Sequence, residues 1–166
     1  MLELLLGPAN LFLKRGIESF SKSKDFKNLK AAMHDRVRRE CKYNRAILDE
    51  LKKDDDEDQT LPQEAKIALI NSIKTEAFDD INSGVIPLCV FFPDEIDKGK
   101  WPAWGNKTEK YMVYTSSIKS QSDIVERLYH RIAIAKTFAK CSMLRGDMDY
   151  LRFLIAILEN TLKTYC

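Results

Sequence analysis

Glu40 and Asn44 stand one helical turn apart in the stretch RVRRECKYN, residues 36–44. On a helical wheel at ~100° per residue they fall between Val37 and Leu48, at the centre of an apolar stripe. A carboxylate there must be paired, reach a solvated groove or take up a proton. The sequence offers Arg36, Arg127, Arg131 and Arg152 as partners for Glu40, and Tyr129 or Tyr150 for Asn44. The pair reads as a buried polar lock that fixes helix register, or as the lining of a ligand pocket or partner surface. Arg38, Lys42 and Arg45 point the opposite way on the same wheel. Asp35–Arg39, Arg45–Asp49 and Asp49–Lys53 are then i,i+4 pairs on a solvent face, each contributing about 0.3 kcal/mol. The other use of that strip is to track the phosphates of a nucleic acid.

Arg127 and His130, in ERLYHRI, are the remaining candidates for catalysis. The histidine points away from Ile124, Leu128 and Ile132, a position where an isolated imidazole is ordinarily inert. Cys41, Cys89, Cys141 and Cys166 show no CxxC spacing, and His34 and His130 stand apart, so no metal site is expected. No P-loop, GxGxxG, GxSxG or HExxH is present. The expectation is a protein without a cofactor and without a catalytic constellation. Trp101 and Trp104, in KWPAWG, either cover the core or anchor a partner protein.

The elements that must position these residues follow from the hydrophobic pattern. Leu2, Leu6, Leu13, Ile17 and Phe20 share one face, which predicts an amphipathic N-terminal helix over 1–20, interrupted at Gly7-Pro8. It packs on the core or lies on a membrane surface. Residues 24–53 contain neither Gly nor Pro and predict one long helix, closed by an acidic loop at 54–61. A third helix is predicted over 62–82, with Pro62 in its first turn and Gly84 beyond its end. Three of the five prolines fall in 84–117, together with both tryptophans. There LCVFF and KYMVYT read as short β-runs that pair as a hairpin, or as an irregular strap. The run Ser120-Gln121-Ser122-Asp123 supplies caps for a helix over 121–145, Gly146 ends it, and Asp147 caps another over 148–164. The last helix is apolar over well over half its circumference, with Arg152, Glu159, Asn160 and Lys163 as its polar strip. A helix of that kind is central in a bundle or faces a partner.

The chain of 166 residues is 45% hydrophobic and 31% charged, which suits one soluble domain, and the net charge of +2 selects no class of partner. The charge is uneven: residues 1–53 hold 13 Lys/Arg against 7 Asp/Glu, and DDDED follows. Residues 1–6 lack the basic start and cleavage site of a leader, and no apolar run is long enough to span a bilayer. A cytoplasmic location with reduced thiols is expected.

Two resemblances bear on the reading. The helical pattern is similar to HEPN-type ribonucleases by fold class. Their motif places an arginine and a histidine further apart than Arg127 and His130, which only two residues separate, so the resemblance carries the fold and not the catalysis. RRECKYN early and RLYHRIAIAK late resemble small helical accessory proteins encoded beside bacterial anti-phage enzymes, over about a third of the chain. That resemblance implies a subunit or regulatory role. The expected fold is mainly α, a four- to five-helix bundle with an irregular or β-hairpin insertion at 84–117. The expected function is a non-enzymatic binding subunit with a protein partner or a second copy of itself. The rival readings are a nucleic-acid-binding or ribonuclease-type protein and a peripheral membrane protein.

Overall fold

The computed structural model describes residues 8–53, 61–84 and 86–162, with side chains from Arg15 onward, Lys53 excepted. Among the described residues, eight α-helices run in chain order: α1 (Pro8–Ser21), α2 (Lys24–Lys53), α3 (Gln63–Ser72), α4 (Glu76–Asn82), α5 (Leu88–Phe91), α6 (Thr108–Tyr114), α7 (Gln121–Lys140) and α8 (Met148–Leu162). The long uninterrupted pattern of 24–53 gives α2 with the expected bounds. Helix α8 packs against both α2 and α7, and α3 fills the space beside α2 and α7. This central place explains its wide apolar face: residues 153–158 are all buried. Capping follows the sequence. The Ser120 hydroxyl accepts from the Asp123 amide while Asp123 accepts from the Ser120 amide, and Asp147 Oδ1 accepts from the Tyr150 amide.

Three expectations are corrected. The β-hairpin is not formed. LCVFF folds as α5, closed by local bonds from Val90 and Phe92 to the carbonyls of Pro87 and Leu88. KYMVYT folds as α6, where Tyr111 and Thr115 are buried at i,i+4 while Val113 between them is 69% exposed. Burial with that period is helical, and a strand would have buried every second residue. Among the described residues the β-pairing is one antiparallel bridge, Glu95 with Ser120, which ties the insertion to the start of α7.

The second correction is the predicted helix over 62–82, which is broken into α3 and α4 at residues 73–75. Ile73 is extended (φ −57°, ψ 128°) and turned into the core. The third is the end of α7, at Lys140 rather than 145. Ser142 sits at φ 57°, the Met143 amide reaches back to the Phe138 carbonyl and the Ser142 amide to that of Ala139. This is a Schellman closure with serine in the left-handed position, and Gly146 belongs to the connection that follows.

Residues 54–60 of the acidic loop, the leucines Leu2, Leu6 and Leu13, and residues 163–166 lie outside the described residues or side chains. From the described end of α1, Phe20 meets Phe26 of α2 edge-on at 5.4 Å. No described helix is long and apolar enough to cross a membrane.

Candidate functional site

Helix α2 carries Glu40 and Asn44 into the interior, 7% and 1% exposed, as the wheel places them. Their partners differ from those expected. Asn44 Nδ2 donates to the Lys74 carbonyl and its Oδ1 accepts from the Lys74 amide, both at 2.8 Å. Glu40 accepts from the Ala77 amide at 2.8 Å and from the Tyr129 hydroxyl in a short bond. The two side chains thus supply, from α2, the hydrogen bonds that residues 74–77 lose where α3 and α4 part. Burial, with the negative charge of Glu40 beside it, pushes the Tyr129 hydroxyl far above the ordinary range, so it remains a donor. Its ring is stacked on Phe78 at 4.4 Å.

The arginines offered to Glu40 are engaged elsewhere. Arg36 pairs with Asp80, Arg127 donates to the Tyr114 carbonyl and the Ser117 hydroxyl, and Arg131 lies over the Tyr150 ring. Arg152 pairs with Asp49 and Asp149. Arg127 therefore closes the turn before α7, while His130 is exposed on the same helix, and no shared contact brings the two together.

The basic strip is also changed. Arg38 and Arg39 share Asp35, at 2.8 and 2.7 Å, and Lys42 is exposed. Arg45 reaches not Asp49 but Glu159 of α8, at 2.7 Å, and Glu159 is buried instead of lying on a polar strip. Asp49 is taken by Arg152. A wheel places Cβ atoms, and a long guanidinium stem reaches across to a neighbouring helix that the wheel does not contain. Two of the three cations read as a phosphate track are thus already neutralised by carboxylates.

Trp101 and Trp104 rest edge-on against Phe153 of α8, at 6.1 and 5.5 Å, so the loop covers the core. Both indoles are half-buried. Trp104 has a second role, because it also lines a cleft of about 1000 Å³. Leu48, Leu51 and Lys52 from the end of α2 and Lys66 and Ile70 from α3 form one side of it. Residues 104–107, the 144–147 connection and Met148, Asp149 and Arg152 of α8 form the other. Gly146 adopts φ 122°, and a Cβ there would lie 3.1 Å from Met148 Cε, so a glycine lets the connection close on α8.

Asp149 organises the far wall. It accepts from Lys107 Nζ at 3.0 Å, from the Tyr111 hydroxyl at 3.2 Å and from Arg152 Nη1 at 3.1 Å. Burial alone would raise its pKa, but the hydrogen bonds from Lys107, Trp104 and Arg152 outweigh that and hold it below the ordinary carboxylate range. Asp147 shares the single Tyr111 hydroxyl proton with Asp149 and accepts from the Tyr150 amide. Against these two carboxylates the lining carries Lys52, Lys66, Lys107, Arg145 and Arg152. Of this lining, the sequence marked only Trp104 as a binding residue. The others are spread from 48 to 152 with no motif, and only the tertiary structure brings them together.

Other reactive side chains are held by the fold. Cys41 is buried, and burial pushes its thiol well above the ordinary range. Among the described residues no three His, Cys, Asp or Glu gather as metal ligands. His34, near Cys41 on α2, is buried against Phe92 in a stacked pair at 4.7 Å, and its Nε2 lies 2.6 Å from the Phe91 carbonyl, to which the N–H donates. Burial lowers its pKa below 6.5, and Lys30 adds to this while the Phe91 bond and Asp94 oppose it. The unfolded chain then binds more protons than the folded one just below the ordinary value. Stability should be complete above about pH 6.5 and fall as the pH drops through that value, by at most about 1.4 kcal/mol per pH unit. Urea midpoints between pH 7.5 and 5.5 measure this, and His34→Phe should flatten the change. An equal fall in both proteins would assign it to other groups.

No protein family, curated protein or solved structure compared with the chain matches it.

Proposed function

We propose that this protein is a non-enzymatic binding subunit that holds a partner protein in the cleft between the end of α2, α3 and the start of α8. The observation that carries the reading is the composition of that cleft. Leu48, Leu51, Ile70 and Met148 line it together with five cations, two committed carboxylates and the half-buried Trp104. Its lining residues Lys52, Asn106, Lys107, Leu144 and Arg145 are exposed, so the cleft opens to solvent rather than enclosing a small-molecule cavity. Apolar and aromatic centres with a polar rim are the usual anatomy of a protein interface. The side chains best suited to chemistry support the same reading, since Glu40, His34, Cys41 and Arg127 each serve the fold. The resemblance to accessory proteins of anti-phage systems supplies the setting, in which the partner would be an enzyme encoded nearby.

The test is recovery of a complex from the host with the full chain as bait, followed by light scattering of the purified assembly. A defined heteromeric mass that Leu144→Asp abolishes is expected. A monomer that recovers nothing, or a complex indifferent to Leu144→Asp, would overturn the proposal.

A further inference from the structure

A second surface gathers around the carbonyl end of α6. We infer that it binds single-stranded nucleic acid, with a base stacked on Tyr114 and phosphates held by Lys98, Arg127 and Arg131. None of these four residues lines the cleft.

The first argument is positive charge that no carboxylate cancels. Lys98 Nζ donates to the carbonyls of Thr115 and Ser116, at 3.2 and 2.8 Å. Arg127 donates to the Tyr114 carbonyl at 2.7 Å and to the Ser117 hydroxyl at 2.8 Å. Arg131 lies over the Tyr150 ring at 5.9 Å, which steadies its guanidinium. Among the described residues none of the three forms an ion pair. The carbonyl end of a helix carries about half a negative charge, so three full positive charges beside it leave a surplus. Lys110 stands 5.4 Å from the Tyr114 ring but is paired with Asp147 at 3.4 Å and adds nothing to that surplus. The neighbouring carboxylates are turned away or spent. Glu109 and Glu126 are exposed about 100° round their helices from Lys110 and Arg127. Asp97 is bonded to the Gly99 amide and paired with Lys100, and Asp123 caps α7.

The second argument is the ring at the centre of these cations. Tyr114 is 45% exposed, and Val113 beside it is 69% exposed. Tyr150 meets the Tyr114 ring edge-on at 5.6 Å and Tyr111 approaches it at 6.3 Å, and both of these supports are buried. The ring is therefore held in place while much of it stays open to solvent. A base stacks on such a ring whatever its identity, because every base has a π-face. Arg127 and Arg131 stand one turn apart on α7, their stems about 6 Å apart along the axis, and Ile134 continues the same flank, 38% exposed. A strand lying across α6 and α7 thus meets a ring and cations in turn. An acidic peptide would satisfy the cations but offers the ring no stacking face, and a duplex keeps its bases stacked on one another.

The test titrates a fluorescein-labelled oligouridylate with the full chain and reads anisotropy. A duplex of the same length and a polyglutamate peptide are the comparison probes. The oligouridylate should bind at least about tenfold more tightly than either, and weaken as salt rises. Arg131→Glu should reduce its binding at least about tenfold. Lys52→Glu makes the same charge change at an exposed lysine elsewhere and should stay within about twofold. Tyr114→Ala should weaken binding at least about fivefold with the salt dependence unchanged, and Tyr114→Phe should retain it, as stacking rather than charge requires. Ultraviolet crosslinking of the oligouridylate to the unaltered chain needs no variant to fold, and should label residues between 110 and 131. Absence of binding at low salt, equal or tighter binding of the duplex or the peptide, or equal losses in Arg131→Glu and Lys52→Glu overturns the inference. So does an unchanged affinity in Tyr114→Ala, or crosslinking confined to other segments. The partner complex is read separately through Leu144→Asp, so failure of one proposal leaves the other standing.

Discussion

Phe153→Ala should destabilise the protein by about 4 kcal/mol, the middle of the range for emptying a fully buried aromatic site. Phe153 is 0% exposed and meets Trp101, Trp104, Tyr111 and Tyr150 at centroid distances between 5.3 and 6.4 Å. Truncation removes the surface on which residues 101–104 rest and leaves rings that cannot collapse together, because they are carried by three stretches of backbone, the 101–104 loop, α6 and α8. Urea unfolding followed by circular dichroism measures the loss. Tryptophan emission of the folded variant should shift to the red as the indoles gain water. Phe153→Leu keeps most of the volume and should cost about 1.5 kcal/mol. If Phe153→Ala lost under about 1.5 kcal/mol, the tryptophan loop would not depend on this ring, and the floor and wall of the cleft would have to be reassigned.

Glu40→Ala should cost about 3 kcal/mol, since it strands two buried donors, the Tyr129 hydroxyl and the Ala77 amide. Glu40→Gln retains the shape and one acceptor and should cost about 1 kcal/mol. A double-mutant cycle of Glu40→Gln with Tyr129→Phe isolates the contact, with a coupling energy of about 1–2 kcal/mol expected. The cycle separates a bond between these two groups from general loosening of α2, which would give no coupling. A change near zero in Glu40→Ala would mean that α4 keeps its place without the carboxylate and that the break after α3 has another cause.

The same pair marks how far the sequence could be read. Thirty residues without Gly or Pro supply enough turns of a 3.6 period to place Glu40 and Asn44 inside from the wheel alone. Their partners were illegible, because a wheel holds one helix and the partners lie on others. The break at 73–75 shows the same limit. Ser72, Ile73, Lys74 and Thr75 contain no Gly or Pro, so local propensity continues the helix. Asn44, distant in sequence, binds both backbone groups of Lys74, and Lys136 Nζ donates to the Ile73 carbonyl at 2.7 Å. Tertiary bonds replace the helical ones there, and the chain turns Ile73 into the core. LCVFF and KYMVYT failed for a different reason. Runs of five or six residues are too short for period 2 and period 3.6 to be told apart, and burial of Tyr111 and Thr115 decided between them.

By itself the sequence determined the helical class, the bounds of α2, the caps of α7 and α8, and the inward face that holds Glu40 and Asn44. These depend on residues near each other along the chain, where periodicity and capping chemistry act. Only the tertiary structure decided that Arg45 turns to Glu159, that the tryptophans cover Phe153, and that residues from 48 to 152 assemble one cationic cleft. Each of those depends on long side chains meeting across packed helices, and the positions of such meetings are written in no local pattern.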